Sequence, residues 1–482
     1  MFRSTHHCAS LVVVGLLGAA CSDVYSADRR PNVLFVTVDT LRADHLGCYG
    51  YRRDTSPRID ALAREGVMFD TAVVQWPKTT PSFASMLTGT YARTNGVTRS
   101  ARQRIGGHHD LLAEVMREAG YDTVGVVTNP NLARFYQFDQ GFDTYVEGWR
   151  DDDPLEFTMA GDVTDHAVDW LHARAEGESR FKPFFLWLHY IDPHAPYTPP
   201  VRYRKMFVND RFYGGARRAE LNSGDWEGIG GIPRVVQQED PHQPGETVDV
   251  VDYYVAMYDA EIRYLDDNIG RLLDAVEAFG FADDTLVVFT SDHGESLGEH
   301  NYYFEHGALP YDACSRVPLI VKIPGRGLRG EVVEEPVELI NVMPTILDAV
   351  GVASPDAVQG RSLLPLISGR PQALPQYAFT ESGNQNDYQR VVRRDRWKLI
   401  YVPSRADQAL MRGVPLELYD VENDPHETSN LIDIELEIAA ELKEVLFGWI
   451  EGAGPTEASG EEGEVMIDKR TEEALKRLGY AK

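Results

Sequence analysis

NVLFVTVDT, residues 32–40, is a continuous apolar run that ends in a carboxylate, Asp39. Two further apolar runs end in an acid and a histidine: PFFLWLHYIDPH (183–194) in Asp192 and His194, and TLVVFTSDH (285–293) in Asp292 and His293. Runs of Val, Leu and Phe of this length are typical of strands buried on both faces of a parallel sheet. Because ligands of open parallel sheets gather beyond the carboxyl ends of the strands, we expect these polar side chains to converge at one edge.

Helical segments separate these strands. In TSPRIDALAREGVMF, Thr55 or Ser56 is a candidate N-cap, Pro57 suits the first turn and Gly66 ends the helix. The same order recurs with LLAEVMREAG before DTVGVVTN, VTDHAVDWLHARA before PFFLWLHY, and YDAEIRYLDDNIGRLLDAVEAFG before TLVVFTSD. Helices that alternate with buried strands predict an α/β sandwich with a largely parallel central sheet flanked by helices.

The pattern changes towards the carboxyl end. Beyond about residue 375, strand-like pieces follow one another without helices, which predicts a main domain over 30–375 and a small antiparallel subdomain over 376–450. Residues 451–482 are interpreted as an acidic, Gly-rich linker and a terminal helix. Residues 201–247 break the earlier rhythm and are either a substrate-side insertion or a surface insertion without a role.

Residues 1–27 have the pattern of a secretory signal peptide, with an apolar stretch followed by small residues before Cys21. This predicts an exported protein, periplasmic or extracellular. The tetrapeptide Gly18-Ala19-Ala20-Cys21 resembles a lipoprotein cleavage box. Lipidation of Cys21 would attach the protein to a membrane, and free export is the alternative.

Composition, net charge and cysteine content limit the classes of protein to which this chain can belong. With 482 residues, 43% of them hydrophobic, the chain can bury a large core. Its net charge of −28 and its lack of a Lys/Arg-rich run argue against nucleic acid as a partner. Once the signal and Cys21 are set aside, Cys48 and Cys314 remain, too few for a disulfide framework.

The residues at the strand ends are suited to a divalent metal. Asp39, Asp292 and His293 offer the oxygen and imidazole donors that bind Zn²⁺, Mn²⁺ or Ca²⁺. An isolated acid after a strand is usually a turn former, but three such residues after two matched strands favour a site.

A second set of metal-binding side chains is Asp192, His194 and His306. These residues predict a second metal, or His194 and His306 instead donate hydrogen bonds to a substrate. His189 lies inside the apolar run and is interpreted as a core histidine whose polar atoms are satisfied.

Two threonines, Thr79 and Thr80, precede Pro81, which suits the first turn of a helix. The amides and dipole of a helix N-terminus favour a phosphate or sulfate, and a nearby metal would lower the proton affinity of a hydroxyl there. Threonine is also a common helix cap, so a purely structural role is the alternative.

Several blocks, in order, resemble the sulfatase family of the alkaline phosphatase superfamily: VTVDTLRADHLGCYGY, SPRIDALAREGVMF, DPHAPY, YDAEIRYLDD, TSDHGESLGEH, RVPLIV, RWKLIY and ELYDVENDPHETSNL. The resemblance covers about residues 30–482 and implies the alkaline-phosphatase-like α/β sandwich.

By position, the resemblance implies that Asp39, Asp292 and His293 are metal ligands. Thr79 stands at the nucleophile position, and His194 resembles the histidine that contacts the anion or the leaving group.

The sequence departs from the family at the nucleophile. Sulfatases carry Cys or Ser in a C/S-x-P-S-R signature and convert it to formylglycine. Here Thr79-Thr80-Pro81-Ser82-Phe83 lacks both the convertible residue and the Arg, so formylglycine is not expected.

Other departures concern the ligands of the metal and of the anion. A Gly-Lys-Trp-His-type block is missing, and Asn129 or Asn131 stands in its region. His306 is the nearest candidate for a family Lys, and Thr40 occupies the place of a second Asp ligand, which favours a transition metal over Ca²⁺. Arg42 either bridges Asp39 and a substrate anion or forms an ion pair that supports its loop.

These observations predict an exported, metal-dependent hydrolase that cleaves a phosphate, phosphonate or sulfate ester with Thr79 as the nucleophile. A threonine sulfate ester would have to be broken by water, whereas hydrated formylglycine eliminates sulfate, so threonine favours phosphoryl transfer, as in related phosphodiesterases. The substrate is expected to be a small, glycan or lipid anionic ester. The alternatives are a true sulfatase without formylglycine and an inactive sulfatase fold that binds such anions.

Overall fold

The computed structural model describes residues 30–100, 103–150, 159–208, 217–225, 228–240, 243–325, 328–369, 377–383, 388–402, 415–452 and 469–477. The predicted signal peptide with Cys21, and most of the predicted acidic linker, lie outside the described residues.

Seventeen strands are found in the part of the chain that the structure describes. In chain order they are β1 (Asn32–Val38), β2 (Val67–Val73), β3 (Asp122–Val127), β4 (Thr144–Glu147), β5 (Phe184–Tyr190), β6 (Glu220–Leu221), β7 (Gly231–Ile232), β8 (Thr285–Ser291), β9 (Ser296–Leu297), β10 (Tyr303–Glu305), β11 (Arg316–Lys322), β12 (Glu331–Val333), β13 (Val337–Glu338), β14 (Ala378–Ser382), β15 (Gln389–Arg394), β16 (Trp397–Tyr401) and β17 (Leu416–Asp420).

The α-helices within the same ranges are α1 (Pro57–Glu65), α2 (Thr79–Thr88), α3 (Ala92–Asn95), α4 (Leu112–Glu118), α5 (Ala160–Glu176), α6 (Val201–Phe207), α7 (Val251–Ala278), α8 (Asp312–Ser315), α9 (Val342–Ala349), α10 (Leu364–Ile367), α11 (Leu436–Gly452) and α12 (Lys469–Arg477).

A nine-stranded sheet forms the centre of the protein. Its order is β12-β2-β11-β8-β1-β5-β3-β4, and β13 also pairs with β2. Among these nine strands β11 alone runs against the others, because it is antiparallel to both of its neighbours. β1 lies between β8 and β5 and is parallel to both, so the three apolar runs that end in polar side chains are adjacent.

Both faces of this sheet are covered. Along β1, Val33 and Phe35 belong to one hydrophobic cluster with residues of α2, α4 and α9, while Leu34 and Val36 belong to a second with residues of α1, α5 and α7. Alternate side chains of a strand point to opposite faces, so continuous apolar runs are what a doubly covered sheet requires. The predicted α/β sandwich with a largely parallel sheet is confirmed.

Local signals set the helix ends. The helix after the first strand begins with Pro57 in its first turn, has Ser56 at the N-cap and ends at Gly66, as predicted. Pro57 suits this position because the first amides of a helix have no intrahelical partner.

The C-terminal part of the chain forms a separate antiparallel sheet in the order β14-β15-β16-β17. α11 packs on one face, where Leu442 and Leu446 lie in a cluster with Val392, Leu399 and Leu418. This confirms the small antiparallel unit, whereas the boundary at residue 375 stays a prediction.

Among the helices that the structure describes, none is both long and apolar enough to cross a membrane.

Candidate active site

The carboxyl ends of β1 and β8 bring two carboxylates side by side. Val38 pairs with Ser291, so Asp39 and Asp292 leave neighbouring strands at the same level. The Ser291 hydroxyl donates to Val38 O at 2.7 Å and accepts the Leu41 amide at 2.9 Å, which fastens the two strand ends together. Asp39 and Asp292 are fully buried.

The strand period of two places the polar side chains on one face. Val33 and Phe35 in β1, Trp187 in β5 and Val288 in β8 all belong to the cluster that contains residues of α2. Asp39, His189 and Asp292 continue these alternations on the same side of the sheet.

Helix α2 brings the predicted nucleophile to this face. Thr79 is the first residue of the helix and is fully buried. Three residues along, the Ser82 hydroxyl donates to Asp292 O at 2.6 Å and fixes the helix N-terminus beside the end of β8. Thr79 Oγ1 lies 3.4 Å from His293 Nε2.

In each carboxylate, one oxygen accepts a hydrogen bond from the described residues and the other oxygen accepts none. Asp39 Oδ2 accepts the Asn129 amide at 2.6 Å, and Asp292 Oδ1 accepts the His293 amide at 2.8 Å. Asp39 Oδ1 and Asp292 Oδ2 are buried and have no hydrogen-bond partner among the described residues. They lie 3.8 Å and 3.3 Å, respectively, from His293 Nε2.

The electrostatics of the two acids differ. Burial opposes ionisation of Asp39, but the His194, His189 and His293 imidazoles outweigh it, so the pKa of Asp39 lies well below its ordinary value. Burial, reinforced by the charge of Asp39, raises the pKa of Asp292 well above its ordinary value. Without a cation, one proton is therefore held by this pair, on the Asp292 side.

The surroundings of His293 leave the lone pair of Nε2 available to bind a metal. Its Nδ1 lies 3.0 Å from Gly294 O, and a proton on Nδ1 that donates to this carbonyl leaves the lone pair on Nε2. Burial, helped by His306, lowers the pKa of His293 well below its usual value, so the ring is neutral at pH 7.

Two further histidines adjoin His293. The His306 ring lies 4.2 Å from that of His293 and 5.4 Å from that of His194. His306 Nδ1 lies 3.0 Å from Glu295 Oε1, and His194 Nδ1 lies 2.6 Å from Ala195 O. Burial raises the pKa of Glu295 to about 7 and lowers that of His306 well below its ordinary value. Each imidazole is held through Nδ1, which fixes the direction of Nε2.

Asp192 does not join this group. Its Oδ2 accepts the amide of Ala160 at 2.8 Å, at the N-terminus of α5. The carboxylate predicted for a second metal is thus engaged elsewhere, and the described residues contain a single cluster of three metal-binding side chains: Asp39, His189 and Asp292. The alternative role of His194 and His306, in which they donate hydrogen bonds to a substrate, stays a prediction.

Arg42 is paired with acids of the protein. Its guanidinium donates to both oxygens of Asp44 at 2.9 and 2.7 Å and to Glu299 at 2.8 Å. With its donors used by two carboxylates, Arg42 supports its loop, and its role in substrate binding stays a prediction.

The two asparagines have different surroundings. The Asn129 amide donates to Asp39 and orients that carboxylate, rather than being directed to a substrate. The side-chain amide of Asn131 is fully buried and has no hydrogen-bond partner within the described ranges. The Thr80 hydroxyl donates to Asn131 O at 3.3 Å, so Asn131 adjoins the N-terminus of α2.

Sequence analysis missed three residues of the site. His189 was interpreted as a satisfied core histidine, yet its Nε2 has no hydrogen-bond partner among the described residues. Glu295 holds His306, and its position two residues after His293 was the available signal. The side chain of Lys78 lies against Gly307, and its positive charge contributes to lowering the pKa of His306.

The donor set fits a divalent cation. Two buried carboxylate oxygens lack partners, and a neutral imidazole lies within 4 Å of both. A buried carboxylate is costly unless it is paired, and a cation between these atoms would supply the missing interactions.

Two protein-family models and several known proteins match this chain. The sulfatase family model matches residues 31–352, and the model for the C-terminal region of N-sulphoglucosamine sulphohydrolase matches residues 298–450. An arylsulfatase of Clostridium perfringens is 26% identical over 487 residues, covering 88% of this chain and 95% of the relative.

Solved structures share the fold. A structure determined with its substrate D-glucosamine-2-N,6-O-disulfate has a TM-score of 0.71 at 24% identity and covers 89% of this chain and all of its own. A phosphonate monoester hydrolase of Silicibacter pomeroyi has a TM-score of 0.67 at 25% identity and covers 88% of this chain and 95% of its own.

Proposed function

The chain belongs to the sulfatase family, whose members are ester hydrolases, and on that premise we propose that it is a metal-dependent hydrolase with Thr79 as its nucleophile. The substrate in this proposal is an anionic phosphate or phosphonate ester, with a sulfate ester as the alternative. One observation carries the proposal: Thr79 Oγ1 lies 3.4 Å from His293 Nε2, beside two carboxylate oxygens without hydrogen bonds to the described residues.

Asp39, Asp292, His293 and Thr79 would hold the metal. Two carboxylates and an imidazole are suited to Zn²⁺ or Mn²⁺ more than to Ca²⁺, which prefers a larger set of oxygen ligands. When bound, the metal would lower the proton affinity of the Thr79 hydroxyl and neutralise charge on the transferred group.

The remaining residues have roles that follow from their positions. The N-terminus of α2 favours the negative charge of the transferred group, and the Asn131 amide is available to donate to one of its oxygens. His306 would donate a hydrogen bond through Nε2 to the leaving oxygen when protonated Glu295 donates to its Nδ1. His194, whose Nδ1 donates to Ala195 O, would donate through Nε2 in its imidazolium form.

The reaction proceeds in two steps. Thr79 Oγ1, its proton given up to solvent, forms a bond to phosphorus while the bond from phosphorus to the leaving oxygen breaks. That oxygen takes a proton from the His306 side chain, which regains one when the attacking water of the second step is deprotonated. Water then attacks phospho-Thr79, which releases phosphate or phosphonate and returns the hydroxyl. A threonine has no aldehyde hydrate through which sulfate could be eliminated, so the sequence Thr79-Thr80-Pro81-Ser82-Phe83 supports phosphorus esters over sulfate esters.

The metal-reconstituted enzyme is offered a matched series of aryl phosphate diesters, monoesters, phosphonates and sulfates. We expect turnover of a phosphorus ester and at least a 10³-fold loss, roughly, in Thr79→Ala. Thr80→Ala is the matched control and should retain turnover within about tenfold, because Thr80 only donates to Asn131 O.

Two results would change the proposal. Undiminished turnover by Thr79→Ala would remove Thr79 as the nucleophile. Turnover of the sulfate alone would assign a sulfatase that works without formylglycine. Mass spectrometry of acid-quenched protein should also find the added phosphoryl group on the peptide that contains Thr79.

A further inference from the structure

We propose that His189 Nε2 is a further ligand of the same cation and that this nitrogen makes the site select a transition metal over Ca²⁺. The inference deepens the proposed function and rests on its metal site. It assigns a role to a side chain that lies inside an apolar strand, one residue before the last residue of β5.

The first evidence is a set of buried atoms without partners. Asp39 Oδ1, Asp292 Oδ2 and His189 Nε2 have no hydrogen-bond partner among the described residues, and the three side chains are fully buried. One ligand atom from each of the three lies within 4.8 Å of the other two. An unsatisfied buried polar atom costs roughly 1–3 kcal/mol, so three of them at one place indicate a missing common partner.

The second evidence is the protonation of the His189 ring. The Thr128 hydroxyl lies 2.9 Å from His189 O and 3.3 Å from His189 Nδ1. The shorter contact assigns the single hydroxyl proton to the carbonyl, so the Nδ1 contact needs a proton on Nδ1. A neutral ring protonated at Nδ1 has its lone pair on Nε2.

This lone pair faces a carboxylate. His189 Nε2 lies 3.6 Å from Asp39 Oδ2, which already accepts the Asn129 amide. With a lone pair on Nε2 the two atoms repel each other unless a positive charge lies between or beside them, and without a metal a proton on Nε2 fills that place. A cation bound by both would turn this repulsion into attraction.

The separations suit a shared cation. Donors that share one cation at bonds of about 2.0–2.1 Å lie about 3–4 Å apart. The observed separations are 3.6 Å from His189 Nε2 to Asp39 Oδ2, and 3.8, 3.3 and 3.4 Å from His293 Nε2 to Asp39 Oδ1, Asp292 Oδ2 and Thr79 Oγ1, respectively.

Packing fixes the ring in this direction. The Phe83 ring lies 5.3 Å from the His189 ring at an interplanar angle of 63°, and both side chains are fully buried. Phe83 is uncharged and has no group that forms a hydrogen bond with His189 Nε2. Thr128 on one side and Phe83 on the other leave the nitrogen directed at the carboxylates.

A second imidazole changes which metal the site prefers. With His189 and His293, two nitrogen donors accompany two carboxylates. Zn²⁺ and Mn²⁺ accept such mixed sets, whereas Ca²⁺ binds six to eight oxygens.

The test measures metal binding without turnover. Apoprotein is titrated with Co²⁺, followed by its visible absorption, and with Zn²⁺ and Ca²⁺ by competition. In His189→Gln we expect at least a tenfold loss of Zn²⁺ affinity, roughly, a changed Co²⁺ spectrum and a lower ratio of Zn²⁺ to Ca²⁺ affinity. Thr128→Val keeps the ring but removes its Nδ1 acceptor, and should lower Zn²⁺ affinity by roughly 10–100-fold.

His172→Gln is the matched control, because its ring lies on α5 beside Glu176 and is 56% exposed, and it should leave metal affinity within about threefold of the parent. Zn²⁺ affinity and a Co²⁺ spectrum that stay unchanged in both His189→Gln and Thr128→Val would overturn the inference.

Asp292→Asn separates this inference from the proposed function. If Asp292→Asn abolishes binding while His189→Gln does not, the metal site stands and the role of His189 fails. If Asp292→Asn binds metal normally, the proposed metal site itself fails. Circular dichroism of each apoprotein checks folding, and Thr128→Val carries the test should the His189 variant not fold.

Discussion

Single side chains in this site derive their chemistry from their surroundings. Asp39 and Asp292 are the same residue type on neighbouring strands, yet the pKa of Asp39 is lowered by three histidines and that of Asp292 is raised by burial and by Asp39. His293 is kept neutral because burial lowers its pKa. The pair therefore holds one proton and one negative charge before a cation binds.

Metal binding is expected to release about one proton near pH 7. The pKa of Asp292 is raised, so its proton is bound in the metal-free protein and must leave, whereas neutral His293 contributes none. Metal affinity should therefore increase as the pH rises through neutrality and decrease in acid. Calorimetry in two buffers with different ionisation enthalpies measures the release, and a binding enthalpy that does not depend on the buffer would contradict this assignment.

Secondary-structure elements are joined at their ends by distant carboxylates. Asp266 of α7 accepts the amides of Arg58 and Ile59 at the N-terminus of α1, at 3.0 and 2.8 Å. Asp192, after β5, accepts the Ala160 amide at the N-terminus of α5. A helix N-terminus has unpaired amides and a positive dipole end, so these acids fix where a helix meets the sheet.

Asp192→Asn should make the protein's stability less dependent on pH. Burial raises the pKa of Asp192 to about 7, so the folded state holds a proton that the unfolded chain releases near its ordinary value of 3.8. The free energy of unfolding of the parent should therefore decrease as the pH rises from about 4 through about 7, at about 1.4 kcal/mol for each unit of pKa difference.

Asparagine keeps an acceptor for the Ala160 amide but does not titrate. Urea unfolding at pH 5 and pH 8 should show a smaller decrease for Asp192→Asn than for the parent, by up to a few kcal/mol. Equal decreases in the two proteins would show that Asp192 ionises in the folded state as it does in the unfolded chain.

At the scale of the whole molecule, ion pairs join the C-terminal sheet to helices α3 and α8, which lie outside that sheet. Lys398 of β16 lies 2.7 Å from Asp312, close behind the site, and 2.7 Å from Glu427. The side chains of Lys398 and Glu427 are each 2% exposed. Arg93 and Glu381 form another buried pair, at 2.7 Å, between the two units.

Lys398→Met is expected to lower the free energy of unfolding by about 3–5 kcal/mol, because it leaves buried Glu427 without its cation, whereas Asp312 keeps Arg393. Lys322→Met is the matched control. Lys322 also lies on a strand and pairs with a single acid, Glu65, but the two side chains are 31% and 54% exposed, so the expected loss is about 1 kcal/mol or less. Chemical denaturation measures both, and similar losses would mean that burial of the Lys398 network adds nothing.

Much of the fold follows from local sequence. Continuous apolar runs specify strands buried on both faces, and Ser56, Pro57 and Gly66 specify the ends of a helix, because both signals depend on residues close in the chain. Since parallel strands place their carboxyl ends at one edge, the adjacency of Asp39 and Asp292 was also predictable.

Tertiary structure decided which atoms face which partners. The run FFLWLHY is apolar on both faces, so its pattern cannot tell that His189 continues the face that carries Asp39. Asp192 has a distant partner in Ala160 and Arg42 has one in Glu299, which no local signal indicates. By itself, the sequence determined the layered sheet and the place where polar residues collect, because these depend on backbone periodicity. The direction of each buried side chain depends on groups brought from elsewhere in the chain, and only the packed structure supplies them.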